Sequence, residues 1–174
     1  MRVIAGEFKG RTLQAPEGTG TRPTPDRLRE ALFNILAPRI EGVTFVDAYA
    51  GSGAVGIEAL SRGAALSVFL EKDRLALMCL KRNLSALGIE ARARVMSGLV
   101  KANLGKAGGG IVFLDPPYAL EKEYERAMAL LENSPALVIV QHEVHFKLPE
   151  SRGTLRLHRE VRQGSNVLSF YSAD

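Results

Sequence analysis

The feature that most constrains this chain is an alternation. From residue 43 onward short apolar runs take turns with amphipathic stretches: VTFVDAYA, AVGIEALSRG, ALSVFLEK, RLALMCLKRNLSALG. A weaker strand pattern, ARARVM, comes next, then IVFLD, the helical EKEYERAMALLEN and a further strand, ALVIVQ. Runs of period two or fully apolar runs, separated by runs of helical period, predict βαβ units and a parallel sheet flanked by helices. Two late runs, GTLRLHREV and SNVLSFY, have no helix between them and predict an antiparallel edge. The predicted fold class is α/β, a Rossmann-like, mostly parallel sheet with an antiparallel edge strand. A chain of 174 residues suits one such domain with one core.

The domain is expected to span 1–174, with residues 1–21 as a β-hairpin extension and 22–174 as the core. MRVIA and RTLQA flank the glycine-bounded bend GEFKG. Thr24 is predicted to cap a helix whose first residue is Pro25, with Leu28, Leu32, Ile35 and Leu36 on one face and Pro38 as its stop.

No apolar run approaches the ~20 residues of a membrane helix, and MRVIAGEFKGRTLQ lacks a secretion signal's apolar stretch. Cys79 stands alone inside a helical pattern, which suits a buried structural thiol and a reducing cytoplasm. His142, His145 and His158 have no metal-ligand spacing, so no metal is expected. The net charge of +4 is unevenly spread. Residues 72–106 carry eight Lys or Arg against two acids, and residues 1–29 six against three, which suits a polyanionic partner.

Two motifs carry chemistry. In DAYAGSGAVGIEAL, residues 47–60, Gly51, Gly53 and Gly56 spell GxGxxG at a strand-to-helix turn, and Glu71 follows Gly51 by twenty residues at the end of the next strand. Such a turn lets a nucleotide-like ligand approach the backbone, and the acid accepts hydrogen bonds from ribose hydroxyls. Asp47, just before the glycines, would repel a pyrophosphate. It suits the ammonium and sulfonium of S-adenosylmethionine better than a dinucleotide.

The second motif is DPPY, residues 115–118, closing the strand IVFL. Pro116 and Pro117 lack N–H groups and stiffen the chain, so Asp115 and the Pro116 carbonyl form a preorganised pair of acceptors. An exocyclic amine on a nucleobase is a poor nucleophile until it pyramidalises, and two acceptors on its N–H groups favour that. Tyr118 is placed to stack on the extruded base. A plain strand terminator would also read DPPY, but not in one chain with the glycine loop and its ribose acid.

With these residues in hand, DAYAGSG, Glu71 and DPPY resemble class I S-adenosylmethionine-dependent N-methyltransferases. RVIAGEFKGRTLQAPEG, RPTPDRLREALFNIL and SGAVGIEALSRGA resemble the bacterial RsmD family across almost the whole chain. The resemblance implies methyl transfer to N2 of a guanine, position 966 in conventional numbering, of 16S ribosomal RNA. It implies cofactor contacts at Asp47, Ala50, Gly51, Ser52, Gly53, Glu71, Lys72, Ser97, Gly98 and Asp115, and catalytic roles for Asp115, Pro116, Pro117 and Tyr118. RNA contacts are expected at Arg2, Lys9, Arg11, Arg22, Thr24 and Arg27, the substrate being 16S rRNA within a small-subunit assembly intermediate and the protein a monomer. The chain departs from class I enzymes at Ser97 and Gly98, where no carboxylate stands for the adenine amino group, and at Gln141, where the family often has an acid. Rival readings are an adenine-N6 methyltransferase with the same lip, a non-catalytic RNA-binding module on this fold, and an NAD-dependent oxidoreductase. The last lacks any evident hydride-transfer acid or base.

Overall fold

The computed structural model describes residues 1–16, 24–117 and 119–173. One eight-stranded sheet runs in the order β3-β2-β1-β4-β5-β8-β7-β6. Its parallel half consists of β1 (Thr44–Ala48), β2 (Leu66–Glu71), β3 (Ala93–Ser97), β4 (Ile111–Leu114) and β5 (Leu137–Glu143). The antiparallel half consists of β6 (Ser151–Arg152), β7 (Leu155–Gln163) and β8 (Asn166–Ala173), and β8 pairs with β5. The alternation is thus a sound guide to the parallel half. It does not mark the two-residue β6 or the helix α4 (Val100–Ala107). The VKANLGKA segment of α4 buries only Val100, Leu104 and Ala107, too thin a stripe to stand out.

Adjacent strand residues feed two cores. Phe45, Phe69, Phe113, Ile139 and Phe170 pack toward α1 (Asp26–Leu36), α2 (Ala54–Ser61) and α3 (Arg74–Leu87). Val46, Val68, Val112, Val138 and Tyr171 pack toward α4 and α5 (Glu121–Leu131). Period-two alternation in fully buried strands is what a sheet covered on both faces requires.

The N-terminal segment differs from its expectation. It makes no two-stranded ladder but a single antiparallel bridge, Arg2 to Thr12. Side chains of the helices hold the segment instead. The buried Glu58 carboxylate of α2 accepts from the backbone N–H of Ile4 (2.8 Å) and Ala5 (3.0 Å). Ser61 Oγ accepts from Phe8 N–H and donates to Ala5 O. The buried Arg29 guanidinium of α1 donates to Arg2 O, and Asn83 of α3 both accepts from Gln14 N–H and donates to Gln14 O. Cys79 is buried with its thiol donating to Gln14 O, as a structural cysteine should be. Of the two surfaces expected to carry a marginal hairpin, the sheet edge and the helix after Thr24, the segment uses the helical side, touching α1 through Arg29 and also α2 and α3. A hairpin this short needs such support to persist.

A candidate active site at the carboxyl edge of the sheet

Strand register brings the site together. Leu70, Ala48, Leu114 and Val140 lie in one row across β2, β1, β4 and β5. The next residues along those strands are Glu71, Tyr49, Asp115 and Gln141, so the two acids singled out in sequence meet at one edge. Ligands of open α/β sheets bind beyond the carboxyl ends of the strands.

The glycine loop is built by crowding. Gly53 lies at φ +81°, and a Cβ there would stand 2.2 Å from Leu80 Cδ1. A Cβ on Gly56 would stand 2.3 Å from Phe69 Cε1. Gly51 is also left-handed, at φ +57°, yet nothing lies within 4 Å of where its Cβ would be. Two glycines thus allow helix and strand to pack, and the third keeps an open face at the turn. Tyr49, at φ +67°, is a non-glycine residue in the left-handed region, a strained conformation that concentrates at functional sites. Its hydroxyl donates to Glu123 Oε2 at 3.2 Å. Only the tertiary structure reveals this residue, since nothing in the sequence YAG demands a positive φ at the tyrosine.

Asp47 and Glu71 turn out to hold the loop. Asp47 is 2% exposed, and its Oδ2 accepts from Gly56 N–H at 2.8 Å. Glu71 Oε2 accepts from Gly51 N–H, and its Oε1 accepts from Lys72 and Asp73 N–H, all at 2.8 Å. The Glu71 carbonyl in turn accepts from Gly98 N–H at 2.9 Å. Ser97 and Lys72 are exposed, while Ala50 and Ser52 are buried beneath the turn. Burial pushes the Asp47 carboxyl well above the ordinary carboxylate range; the Gly56 N–H pulls it down, and the charges of Asp115 and Glu71 push it further up. Three carboxyl groups converging on one edge make a site that favours a cation.

Asp115 is different. Among the described residues its carboxylate has one hydrogen-bond partner, Thr24 Oγ1, which donates to Oδ2 at a long 3.3 Å. Burial raises the Asp115 carboxyl to about 7, against a small lowering by the Thr24 hydroxyl. Thr24 therefore does not cap α1: that helix begins at Asp26 with Pro25 before it and no side-chain cap. Instead Thr24 ties the start of α1 to the lip. The Pro116 carbonyl is not wholly free of local donors either, because the buried Tyr124 hydroxyl of α5 donates to it at 3.4 Å. A carbonyl has two lone pairs, so one remains for a ligand. Tyr118 and Arg22 lie outside the described residues. Arg2, Lys9, Arg11 and Arg27 are exposed, with Arg11 Nη2 donating to Ala86 O. His142 is buried between Glu143 O and Ser169 Oγ, a satisfied polar role as its lack of ligand spacing implied. No cluster of three potential metal ligands occurs among the described residues.

A doubly covered sheet in this strand order, with an open glycine turn, an acid ending β2 and DPPY ending β4, defines a class I methyltransferase of the kind that uses S-adenosylmethionine. Comparisons with known proteins narrow this. The family described as Conserved hypothetical protein 95 matches residues 1–172, and the chain belongs to it. Escherichia coli ribosomal RNA small subunit methyltransferase D is 39% identical, over 100% of this chain and 90% of that protein. Its Haemophilus influenzae counterpart is 38% identical over 82% of this chain and 79% of its own. The solved structure of a candidate methyltransferase of Escherichia coli, yhhF, matches with a TM-score of 0.87 and 39% identity, covering 100% of this chain and 98% of that one.

Proposed function

We propose that this chain methylates N2 of a guanine in small-subunit ribosomal RNA, with S-adenosylmethionine as donor. The observation that carries the chemistry is Asp115: a carboxylate beside the open Gly51 edge, unclaimed by backbone donors among the described residues and held near neutrality. The residues present fit the cofactor. Gly51 leaves room for it, the three converging carboxyl groups favour its positive charge, and Glu71 Oε2 retains one lone pair for a ribose hydroxyl. Exposed Leu75, Met78 and Leu99 flank Glu71 and Ser97 in sequence and offer apolar surface to an adenine where no acid stands.

The bound cofactor supplies an electrophilic methyl group on a sulfonium. The protein's part is to orient the amine and move one proton. Asp115 accepts one N2–H and the free lone pair of the Pro116 carbonyl accepts the other, which pyramidalises the nitrogen toward the methyl. Once methylated, the nitrogen would have one proton to shed. Asp115, its carboxyl raised to about 7, is suited to take that proton and pass it to water. Tyr118 stacks on the flipped base in this reading. The RNA substrate is met within a small-subunit assembly intermediate, by a monomer acting in the cytoplasm. Basic residues at the N-terminus (Arg2, Lys9, Arg11), Arg22 and Arg27 and those across 72–106, together with the Thr24 hydroxyl, hold its backbone. No helix among the described residues is long and apolar enough to cross a membrane. Nucleoside mass spectrometry of small-subunit RNA incubated with the protein and methyl-labelled S-adenosylmethionine tests the proposal. N2-methylguanosine is expected; N6-methyladenosine, or no labelled nucleoside, refutes it.

A further inference from the structure

Beside the lip lies a cavity of about 120 Å³ lined by Glu121, Tyr124, Glu143, His145 and Phe146. Its connection to the chemistry is short. Tyr124 donates to the Pro116 carbonyl at 3.4 Å, its ring lies 4.7 Å from that of Phe146, and Phe146 N–H donates to Glu143 O at 3.0 Å. The β4–β5 ladder ends at the pair Leu114–Val140, and Glu143 closes β5 three residues further on. Glu121, Glu143 and His145 are exposed, and their side chains make no hydrogen bond or ion pair among the described residues. Two carboxylates in a protein of net charge +4 make this hollow unfit for a phosphate. The aromatic walls fit a base instead.

We propose that this cavity reads the Watson–Crick edge of the target base, with the Glu143 carboxylate accepting from guanine N1–H and a His145 ring N–H donating to O6. The inference rests on the guanine-N2 reading above and adds the origin of its specificity. With both N2–H groups turned to Asp115 and the Pro116 carbonyl, N1–H is the remaining donor on that edge and needs an acceptor once the base is enclosed. Adenine and cytosine present a lone pair at the corresponding nitrogen, which a carboxylate repels. A flipped base is read through this edge, and a site built on a hydrogen bond rejects an analogue lacking it more strongly than an apolar pocket can.

The experiment compares small-subunit RNA carrying guanine at the target with the same RNA carrying 2,6-diaminopurine there. The analogue keeps the reacting N2 amine but has a lone pair at N1 and an amine at C6. Wild type should favour guanine by at least about 100-fold in kcat/KM. Glu143→Gln, whose amide can donate to N1, should shrink that preference to below about tenfold, while its affinity for S-adenosylmethionine stays that of wild type. An unchanged preference in Glu143→Gln overturns the assignment, as does a collapse seen in Glu121→Gln and not in Glu143→Gln. Failure of the parent reading looks different, because wild type then leaves the guanine RNA itself unmethylated.

Discussion

The two acids at the carboxyl ends of β2 and β4, the strands on either side of β1, sit in one row of the sheet and live in opposite chemical circumstances. Glu71 ends β2 and accepts three backbone N–H groups; Asp115 follows β4 and has a single long hydroxyl contact among the described residues. A carboxylate that accepts three backbone N–H groups is fixed in place. One left without them in a half-buried setting is costly to ionise, and so is available to a ligand's N–H and to its proton. In the proposed reaction Glu71 and the glycine turn form the part that holds, and Asp115 and the prolines form the part that reacts. The contrast comes from backbone geometry. The β2–α3 turn points N–H groups back at Glu71, and DPPY has no N–H at either proline to point at Asp115.

The sharpest way to break this contrast is to exchange what each carboxylate does. Asp115→Asn should lower kcat by roughly 10²–10⁴-fold, the range for loss of a positioned base or charge acceptor, while S-adenosylmethionine affinity by calorimetry stays within a few-fold. Near-normal turnover in that variant would remove Asp115 from the chemistry. Glu71→Ala should do the converse, weakening cofactor binding by about 1–3 kcal/mol with kcat retained at saturating cofactor. An unchanged dissociation constant would place the ribose contact elsewhere.

The glycines sharpen the same comparison within one loop. Gly56→Ala must displace the Phe69 ring, and Gly53→Ala adds a left-handed alanine pressed on Leu80, so each should cost about 1–3 kcal/mol of stability in thermal melts. Gly51→Ala meets open space and should cost only the ~1 kcal/mol of an alanine at positive φ, with its larger effect on cofactor affinity. Equal melting shifts for all three would mean that the turn is not divided between packing and an open face.

The raised carboxyl of Asp115 gives the reacting half of the site a pH signature. In wild type, kcat/KM should rise as pH climbs through about 7, where the carboxyl ionises, and this limb should vanish from the residual activity of Asp115→Asn. Stability follows with the sign worked out. The folded-state pKa lies above the ordinary 3.8, so the folded protein binds the proton more tightly than the unfolded chain. Wild type therefore loses this contribution as pH rises from about 4 to 7, and the melting temperature of Asp115→Asn relative to wild type should climb over the same window. A relative melting temperature flat across that window would show that Asp115 ionises normally. The smallest effect belongs to the N-terminal segment. Replacing Arg2 and Lys9 by Gln should flatten the slope of log RNA affinity against log salt by about 1.4, because each phosphate that a cation neutralises contributes ~0.7. An unchanged slope would move the RNA surface to residues 72–106.

The sequence was enough for the strand–helix alternation, the antiparallel end and the placing of Gly51, Glu71 and Asp115 at strand ends and turns. Each of those signals is local: hydrophobic period sets the element type, and glycine, proline and acid at strand ends set the turns. The N-terminal segment shows where local signals stop. GEFKG reads as a hairpin bend, yet only the positions of Glu58, Ser61, Arg29 and Asn83 on three different helices make it a docked loop with a single bridge. Thr24 has the look of a helix cap until the fold sets it beside Asp115, ninety-one residues away. Tyr49's positive φ, Tyr124's contact with the Pro116 carbonyl and the cavity beneath Glu143 likewise depend on strands β1, β4 and β5 and helix α5 meeting at one edge. Which residue type stands at a strand end is written in the chain. How many donors that residue finds there is decided only when distant segments pack, because a buried polar group must satisfy itself from whatever the fold brings within hydrogen-bond reach.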